Sequence, residues 1–243
     1  MPRFFVSKDN ISDAALFIEG DDARHIARSL RMAVGDEITA SDGVGTEYTA
    51  TLERIRDERV DALIVSSRPS PSEPSVRITL YMGYPKGDKL ETVIQKAVEL
   101  GVSRIVPFES SRCVKRPKQD KLDKLLSRFA RIAEEAAKQC GRARLAEVTA
   151  PVDFRTALLD AKKSELCLFC YEGDGTRSLR EVLSEKRAES ISVIVGCEGG
   201  FSLNEAKEAE AAGLTPVNLG PRILRCETAP SYVLSCISYA YEL

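Results

Sequence analysis

The chain has 243 residues, enough for one large domain or two modest ones of roughly 100 to 200 residues each. Apolar residues make up 43% and charged residues 30%; no stretch approaches the ~18 apolar residues of a membrane span and no basic-then-apolar leader follows Met1, so a soluble, unexported, cytoplasmic protein is expected. A net charge of -2 excludes a surface coated in positive charge, and seven cysteines scattered through apolar runs fit free thiols in a reducing compartment better than a disulfide framework.

From the N-terminus, RFFV, ALFI, DEITA, TEYTATLERI and VDALIVSS read as short strands separated by turn residues, and only DDARHIARSLR reads as a helix. In that helix Arg24, Arg28 and Arg31 fall at i, i+4 and i+7 and so share one face, with Ile26 and Leu30 turned towards a core. SSRPSPSEPS, Ser66 to Ser75, carries three prolines and five serines and reads as a linker, dividing a small β-rich domain (1–70) from a larger one (76–243). Beyond it strand and helix alternate: VRITLYMG, KLETVIQKAVELG, SRIVPF, KLDKLLSRFARIAEEAAKQ, ELCLFCY, SLREVLSEK, SISVIVG, SLNEAKEAEAAG, TPVNLG and SYVLSCISYAYEL. That alternation predicts a largely parallel sheet covered by helices, an α/β fold. Arg104 to Arg144 holds twelve basic residues against five acidic ones, which suits either a surface meeting a polyanion or a solvated helix face laced with ion pairs.

Ligands of open parallel sheets sit beyond the carboxyl ends of the strands, so the loops after strands should hold the chemistry. In GCEGGFS, Gly196, Gly199 and Gly200 allow close backbone approach, and Ser202 with Glu205 makes a capping box for the next helix. A phosphate would suit that helix start but not Glu198 beside it, which points to a neutral or cationic ligand, such as one carrying a ribose diol. The same glycines also suit a tight turn without a ligand. LGPRILRCETAP sets Arg222 and Arg225 beside Ile223 and Leu224, whose side chains could wall a flat ring, before Thr228 and Pro230 start the last helix. CYEGDGTRS, with Gly173 and Gly175, lacks the third glycine of a dinucleotide loop and reads as an ordinary turn.

There is no Walker phosphate loop, no G-x-S-x-G elbow and no H-E-x-x-H motif. The single histidine, His25, cannot supply a metal cluster alone, and Cys167 and Cys170 lie inside an apolar strand, which favours core packing over zinc, so no metal is expected. Cys140 in KQCGR adjoins arginines and is a candidate reactive thiol, although an ordinary cysteine fits the position better.

Lys86-Gly87-Asp88-Lys89 with IQKAVELGV, then RCVKR, KQCGR, GCEGGFS and LGPRILRCETA, in this order and with HIARSLRM near the start, resemble the RsmE-type 16S ribosomal RNA uridine N3-methyltransferases of the SPOUT superfamily. The resemblance covers nearly the whole chain. It implies a small PUA-like β-barrel domain for RNA, then a SPOUT-type parallel sheet whose final segment forms a C-terminal trefoil knot, which nothing in the periodicity indicates. It also implies S-adenosylmethionine as cofactor, with Tyr171, Gly196, Glu198, Gly199, Gly200, Leu219, Gly220, Ile223, Leu224 and Thr228 as the binding candidates. A ribose diol, an adenine ring and a sulfonium without phosphate answer the requirements of the two loops. The implied partners are 16S rRNA within the small ribosomal subunit and a second copy of the chain. Three positions depart from the pattern: Cys197 stands where a proline is usual, Lys138 where an acid is usual, and Pro230 where a small hydroxyl residue is common.

Uracil N3 is a poor nucleophile until its proton leaves, and the charge then spread over the ring oxygens needs nearby cations. Arg142 and Arg225 are the candidates for that task, with Glu227 as proton acceptor or arginine-orienting partner. Alternatively Arg142 contacts phosphate and Glu227 favours the positive end of the helix it opens. RNA contact is expected at Arg24, Arg28 and Arg31 and at Arg112, Lys115, Arg116 and Lys118, through backbone and shape rather than stacking. The last helix, apolar around most of its circumference, should be buried on more than one side, by a homodimer interface or within one large core. Two other functions compete: a non-catalytic RNA-binding protein, which has no need of glycine and arginine loops at successive strand ends, and a nucleotide-dependent oxidoreductase, which would need the missing glycine.

Overall fold

The computed structural model describes residues 1–114, 119–185 and 187–243. The chain forms two compact units, Met1–Glu73 with Ala137–Leu145, and Pro74–Ala136 with Ala146–Leu243.

In the first unit β1 (Arg3–Phe5), β2 (Ala15–Glu19), β3 (Glu37–Ser41), β4 (Thr46–Ile55) and β5 (Arg59–Pro69) make a curled sheet in the order β1-β3-β4-β5-β2, antiparallel except where β1 meets β3. One face of each strand is apolar, and Phe4, Leu16, Ile38, Leu52 and Val60 close a core with Ile26. The helix between β2 and β3 is shorter and less regular than its periodicity predicts. α1 (Gly20–Arg24) passes into a π turn at His25–Ser29, and Arg31 sits beyond it at a φ of 52°. The three arginines therefore do not form one α-helical stripe, and Leu30 is 40% exposed instead of facing the core.

SSRPSPSEPS is also less of a linker than its composition suggests. β5 runs through Pro69, which pairs with Thr46. The neighbouring β2 reaches only as far as Leu63, so the later part of β5 is an edge, where a residue without an N–H costs no ladder bond. Beyond the strand, the Ser70 hydroxyl donates to Glu47 at 2.8 Å and Glu73 accepts from the amides of Ala143 and Arg144, both at 2.9 Å.

The second unit holds β6 (Arg77–Gly83), α2 (Lys89–Glu99), β7 (Arg104–Glu109), most of α3 (Leu122–Cys140), β8 (Glu147–Val148), β9 (Val152–Asp153), α4 (Phe154–Ala161), β10 (Leu166–Cys170), β11 (Arg177–Ser178), α5 (Leu179–Glu185), β12 (Ser190–Val195), α6 (Leu203–Ala211), β13 (Thr215–Asn218) and α7 (Thr228–Glu242). Its strands are all parallel, in the order β11-β13-β10-β12-β6-β7-β8, with β9 also on β7. Ile191 to Val195 are all buried, as expected where helices cover both faces of a sheet. α4 has no counterpart in the periodicity reading; Asp153 caps it by accepting from the Thr156 amide at 2.9 Å. The two-residue strands are too short to carry a periodic signal. α7 buries Val233, Leu234, Ile237 and Tyr241 while leaving Tyr232 40% and Tyr239 74% exposed, so within the chain it is covered on one broad side only.

Candidate active site

Because the strands are parallel, the carboxyl ends of the neighbours β13, β10, β12 and β6 lie along one edge of the sheet. A cavity of about 800 Å³ opens beyond them. Its walls are Tyr171 to Gly173 after β10, Gly196 to Phe201 after β12, Leu219 to Glu227 after β13, Lys89 at the start of α2, and Arg112 after β7.

The loop after β12 is held in place from below. Phe201 is 5% exposed, and its ring lies 4.4 Å from that of Phe169 and 6.2 Å from that of Phe108. Gly200 adopts a φ of 61° and its amide donates to the Cys197 carbonyl at 2.9 Å, a turn that favours glycine. At the end of β6, a Cβ on Gly83 would stand 2.5 Å from the Cys197 nitrogen, so the loop backbone lies directly on that glycine. The Ser202–Glu205 capping box is present, and Glu205 also accepts from the Ser111 amide at 2.7 Å, tying the loop after β7 to the start of α6. Arg112 donates to the Gly199 carbonyl at 2.7 Å, and a Cβ on Gly199 would come 3.0 Å from the Arg112 Cβ. The loop after β13 contrasts with it: Ile223 is 82% exposed on the cavity wall.

Charge concentrates at one place in the cavity. Lys89 Nζ lies 3.0 Å from Glu198 Oε1 and 3.3 Å from Glu227 Oε2, and Glu198 Oε1 also accepts from the Lys86 amide at 3.0 Å. The hydrogen bond to Glu198 raises the Lys89 pKa above that of an ordinary lysine. Partial burial pushes the Glu198 carboxyl up, but its own amide, Lys89 and the Lys86 amide outweigh this and hold it below the usual carboxylate value. Glu227 is lowered by its own backbone amide at the start of α7, and also by Cys226 and Lys89. Burial and the neighbouring Glu227 push the Cys226 thiol up to about 12, so it stays a protonated donor to Glu227 at 3.2 Å. With Lys89, Arg112, Arg222 and Arg225 beside Glu172, Glu198 and Glu227, the cavity wall carries both signs of charge, and its apolar side chains suit a ligand with both polar and apolar parts.

The RNA methyltransferase domain family matches residues 72–238, and the RNA methyltransferase PUA domain matches residues 18–65. Ribosomal RNA small subunit methyltransferase E of Bacillus subtilis is 34% identical over 252 residues, covering 100% of this chain and 98% of that protein. The chain belongs to that methyltransferase family. The family member from Neisseria gonorrhoeae, in a crystal structure bound to S-adenosyl methionine, superposes with a TM-score of 0.88 at 31% identity over 99% of this chain and 98% of that one. A Legionella pneumophila protein in complex with the bound cofactor SAM gives 0.86 at 30% identity over 98% and 97%.

Of the residues singled out from the sequence, Tyr171, Gly196, Glu198, Gly199, Gly200, Leu219, Gly220, Ile223, Leu224, Arg225 and Glu227 line this one cavity. Thr228 is not among its lining residues; its amide closes the first turn of α7 onto the Arg225 carbonyl at 2.8 Å. Arg142 belongs to the first unit, where its side chain is 3% exposed and bonded to Glu73 at 2.9 Å. Arg24 is paired with Asp21 and Glu58, and Arg28 with Asp57, so neither presents an uncompensated charge. Much of the basic run is similarly engaged: Arg104 with Asp160, Arg128 with Glu91, Arg131 with Glu135, and Lys138 with Asp22. Lys115, Arg116 and Lys118 lie outside the described residues. The Cys140 thiol donates to the Ala137 carbonyl, and loss of solvent around the half-buried Cys170 pushes its thiol up to about 12. No metal-binding cluster occurs among the described residues. Lys89 and Phe201 carry no signal in spacing alone, yet the loop after β6 obeys the same strand-end rule as the others and points to Lys89.

Proposed function

We propose that the chain transfers a methyl group from S-adenosylmethionine to N3 of a uridine in bacterial 16S ribosomal RNA. The observation that carries this reading is the convergence, beyond four adjacent strand ends, of a packed glycine loop bearing Glu198 and an open loop bearing Ile223 and Arg225. The residues fit the cofactor. Gly199 and Gly200 expose backbone for ribose and adenine, Leu219, Ile223 and Leu224 supply apolar walls, and Tyr171 closes the strand end. When bound, S-adenosylmethionine supplies an electrophilic methyl group on a sulfonium centre.

The chain's own residues then have three tasks. The walls hold uracil N3 in line with the methyl and exclude water. Arg225, with Arg222 beside it, faces the negative charge that spreads over the ring oxygens as N3 loses its proton. Glu227, kept ionised, accepts that proton. Arg142, whose guanidinium is bound to Glu73, is better read as a structural residue than as a second cation at the ring.

The same reading assigns residues 1–70 to a PUA-like RNA-binding domain and 76–243 to a SPOUT domain with a C-terminal trefoil knot. It makes the assembled small subunit the substrate, in the cytoplasm. No helix of the described chain is long and apolar enough to cross a membrane. Exposed Tyr232 and Tyr239 on α7 support a homodimer through that helix. Arg112 and the segment after it, with Arg24, Arg28 and Arg31, would meet the RNA backbone, in the last case by displacing the acids that now pair Arg24 and Arg28.

Calorimetric titration with S-adenosylmethionine, followed by mass spectrometry of small-subunit RNA, tests the proposal. Wild type should bind and add one methyl mapped to a uridine N3, and Gly199→Asp should bind at least about tenfold more weakly because its Cβ meets Arg112. Absence of binding would overturn the cofactor reading. Binding without methyl transfer to either free or assembled RNA would overturn the substrate.

A further inference from the structure

We propose that Lys89 is a positioning residue: its ammonium, set between Glu198 and Glu227, keeps the two carboxylates in place and ionised so that Glu227 can take the uridine N3 proton. The inference rests on the methyltransferase reading and adds a residue to it.

The geometry is a three-membered bridge assembled from distant segments. Lys89 comes from the first turn of α2, Glu198 from the loop after β12 and Glu227 from the residue that opens α7. With one ammonium 3.0 Å from Glu198 and 3.3 Å from Glu227, the two carboxylates are near neighbours. Without a cation between them, such a pair repels and one member retains a proton to higher pH. Among the described residues Lys89 is the sole ion-pair partner of either. The other ionisable groups that face the cavity are Arg112, Arg222, Arg225, Glu172, Tyr171 and the thiols of Cys170, Cys197 and Cys226. None of these replaces the bridge: Arg112 is bonded to the Gly199 carbonyl, and Cys226 is a neutral donor.

The two carboxylates are not equivalent. Glu198 Oε1 is held twice, by Lys89 and by the Lys86 amide, which makes it a fixed anion in the cavity wall. Glu227 Oε2 also has two neighbours, Lys89 at 3.3 Å and the donating Cys226 thiol at 3.2 Å, but both contacts are longer and a thiol is a weak donor, which leaves Glu227 the more available acceptor. In the transfer, the N3–H bond breaks and its proton goes to the Glu227 carboxylate. The N3 electron pair forms the new N–C bond, and the carbon–sulfur pair returns to sulfur, leaving a neutral thioether. A carboxylate protonated before the reaction cannot take that proton, so Lys89, together with the backbone amide of Glu227, holds down the lower pH limit of activity.

The test compares wild type, Lys89→Met and Lys89→Arg in two measurements: kcat against pH at saturating S-adenosylmethionine and RNA, and carboxyl carbon NMR titration of Glu198 and Glu227 in the free protein. In Lys89→Met the acid limb of kcat should move to higher pH by about one unit or more, with a matching rise in one carboxyl titration, and Lys89→Arg should restore both. Lys89→Gln replaces the methionine variant if that one does not fold. A carboxyl titration unmoved in the folded variant would overturn the bridge. An acid limb unmoved despite a moved titration would overturn its part in proton transfer. Wild type that transfers no methyl fails the methyltransferase reading instead, while the NMR titration still judges the bridge.

Discussion

The segment KQCGR and the loop LGPRILRCETAP offer the same chemistry on paper, an arginine that could steady a uracil anion, and the structure treats them in opposite ways. Arg142 is 3% exposed, with Glu73 accepting from its Nε at 3.3 Å and its Nη2 at 2.9 Å while also capping the amides of Ala143 and Arg144. Arg225 lies in a loop with few buried residues, on the wall of a cavity. A buried guanidinium must be matched by a fixed carboxylate, and once matched it has few donors left for a ligand. An exposed one keeps its donors at the cost of contributing little to stability. The difference assigns Arg142 to holding the first unit together and leaves Arg225 as the arginine proposed to face the uracil anion.

Separate removal of the two arginines breaks the comparison most directly. Arg142→Ala leaves Glu73 with only the longer contact to Arg144, at 4.0 Å, and should lower the stability by about 3 kcal/mol, read from chemical denaturation. Unchanged stability would show that the pair has no structural role. Arg225→Ala should unfold within about 0.5 kcal/mol of wild type yet lose about a hundredfold in kcat, read from methyl incorporation into small-subunit RNA. A loss confined to KM would reduce it to a binding residue.

A smaller effect sharpens the contrast between exposure and reactivity. Cys226, in the open loop, has its thiol pushed up to about 12 by burial and the adjacent acids, so it should resist iodoacetamide at pH 7. Partly exposed Cys113 is held well below an ordinary thiol, chiefly by a hydrogen bond from Cys197 and against the opposing effect of burial, with Ser110 adding two more. Its thiolate fraction, and hence its alkylation rate at pH 7, should exceed that of Cys226. Peptide mass spectrometry after labelling between about pH 5 and pH 8 checks both thiols. Equal labelling of Cys113 and Cys226 at pH 7 would contradict the assignment.

Much of the fold was legible because its signals are local. The apolar runs that became β6, β7, β10, β12 and β13, the periodic helices between them and the Ser202–Glu205 capping box each depend on residues a few positions apart. The glycine and arginine loops followed from the rule that ligands sit at the ends of parallel strands, and ten of the candidate residues in them, with Tyr171 after β10, line one cavity. Where local propensity met a longer-range demand it failed: the Ser- and Pro-rich stretch begins as strand because β4 pairs with it, and the helix near Arg24 turns irregular before its pattern ends.

By itself, then, the sequence determined the longer strands, most of the helices and which loops carry glycine and charge, since these follow from spacing along the chain. Only the tertiary structure decided that Arg142 is buried on Glu73, that Phe201 anchors the glycine loop and that Lys89 bridges Glu198 and Glu227. Those partners are brought together by the order of strands in the sheet and the packing of its loops, and nothing in the spacing of residues along one segment encodes the burial and charge that a distant segment will supply.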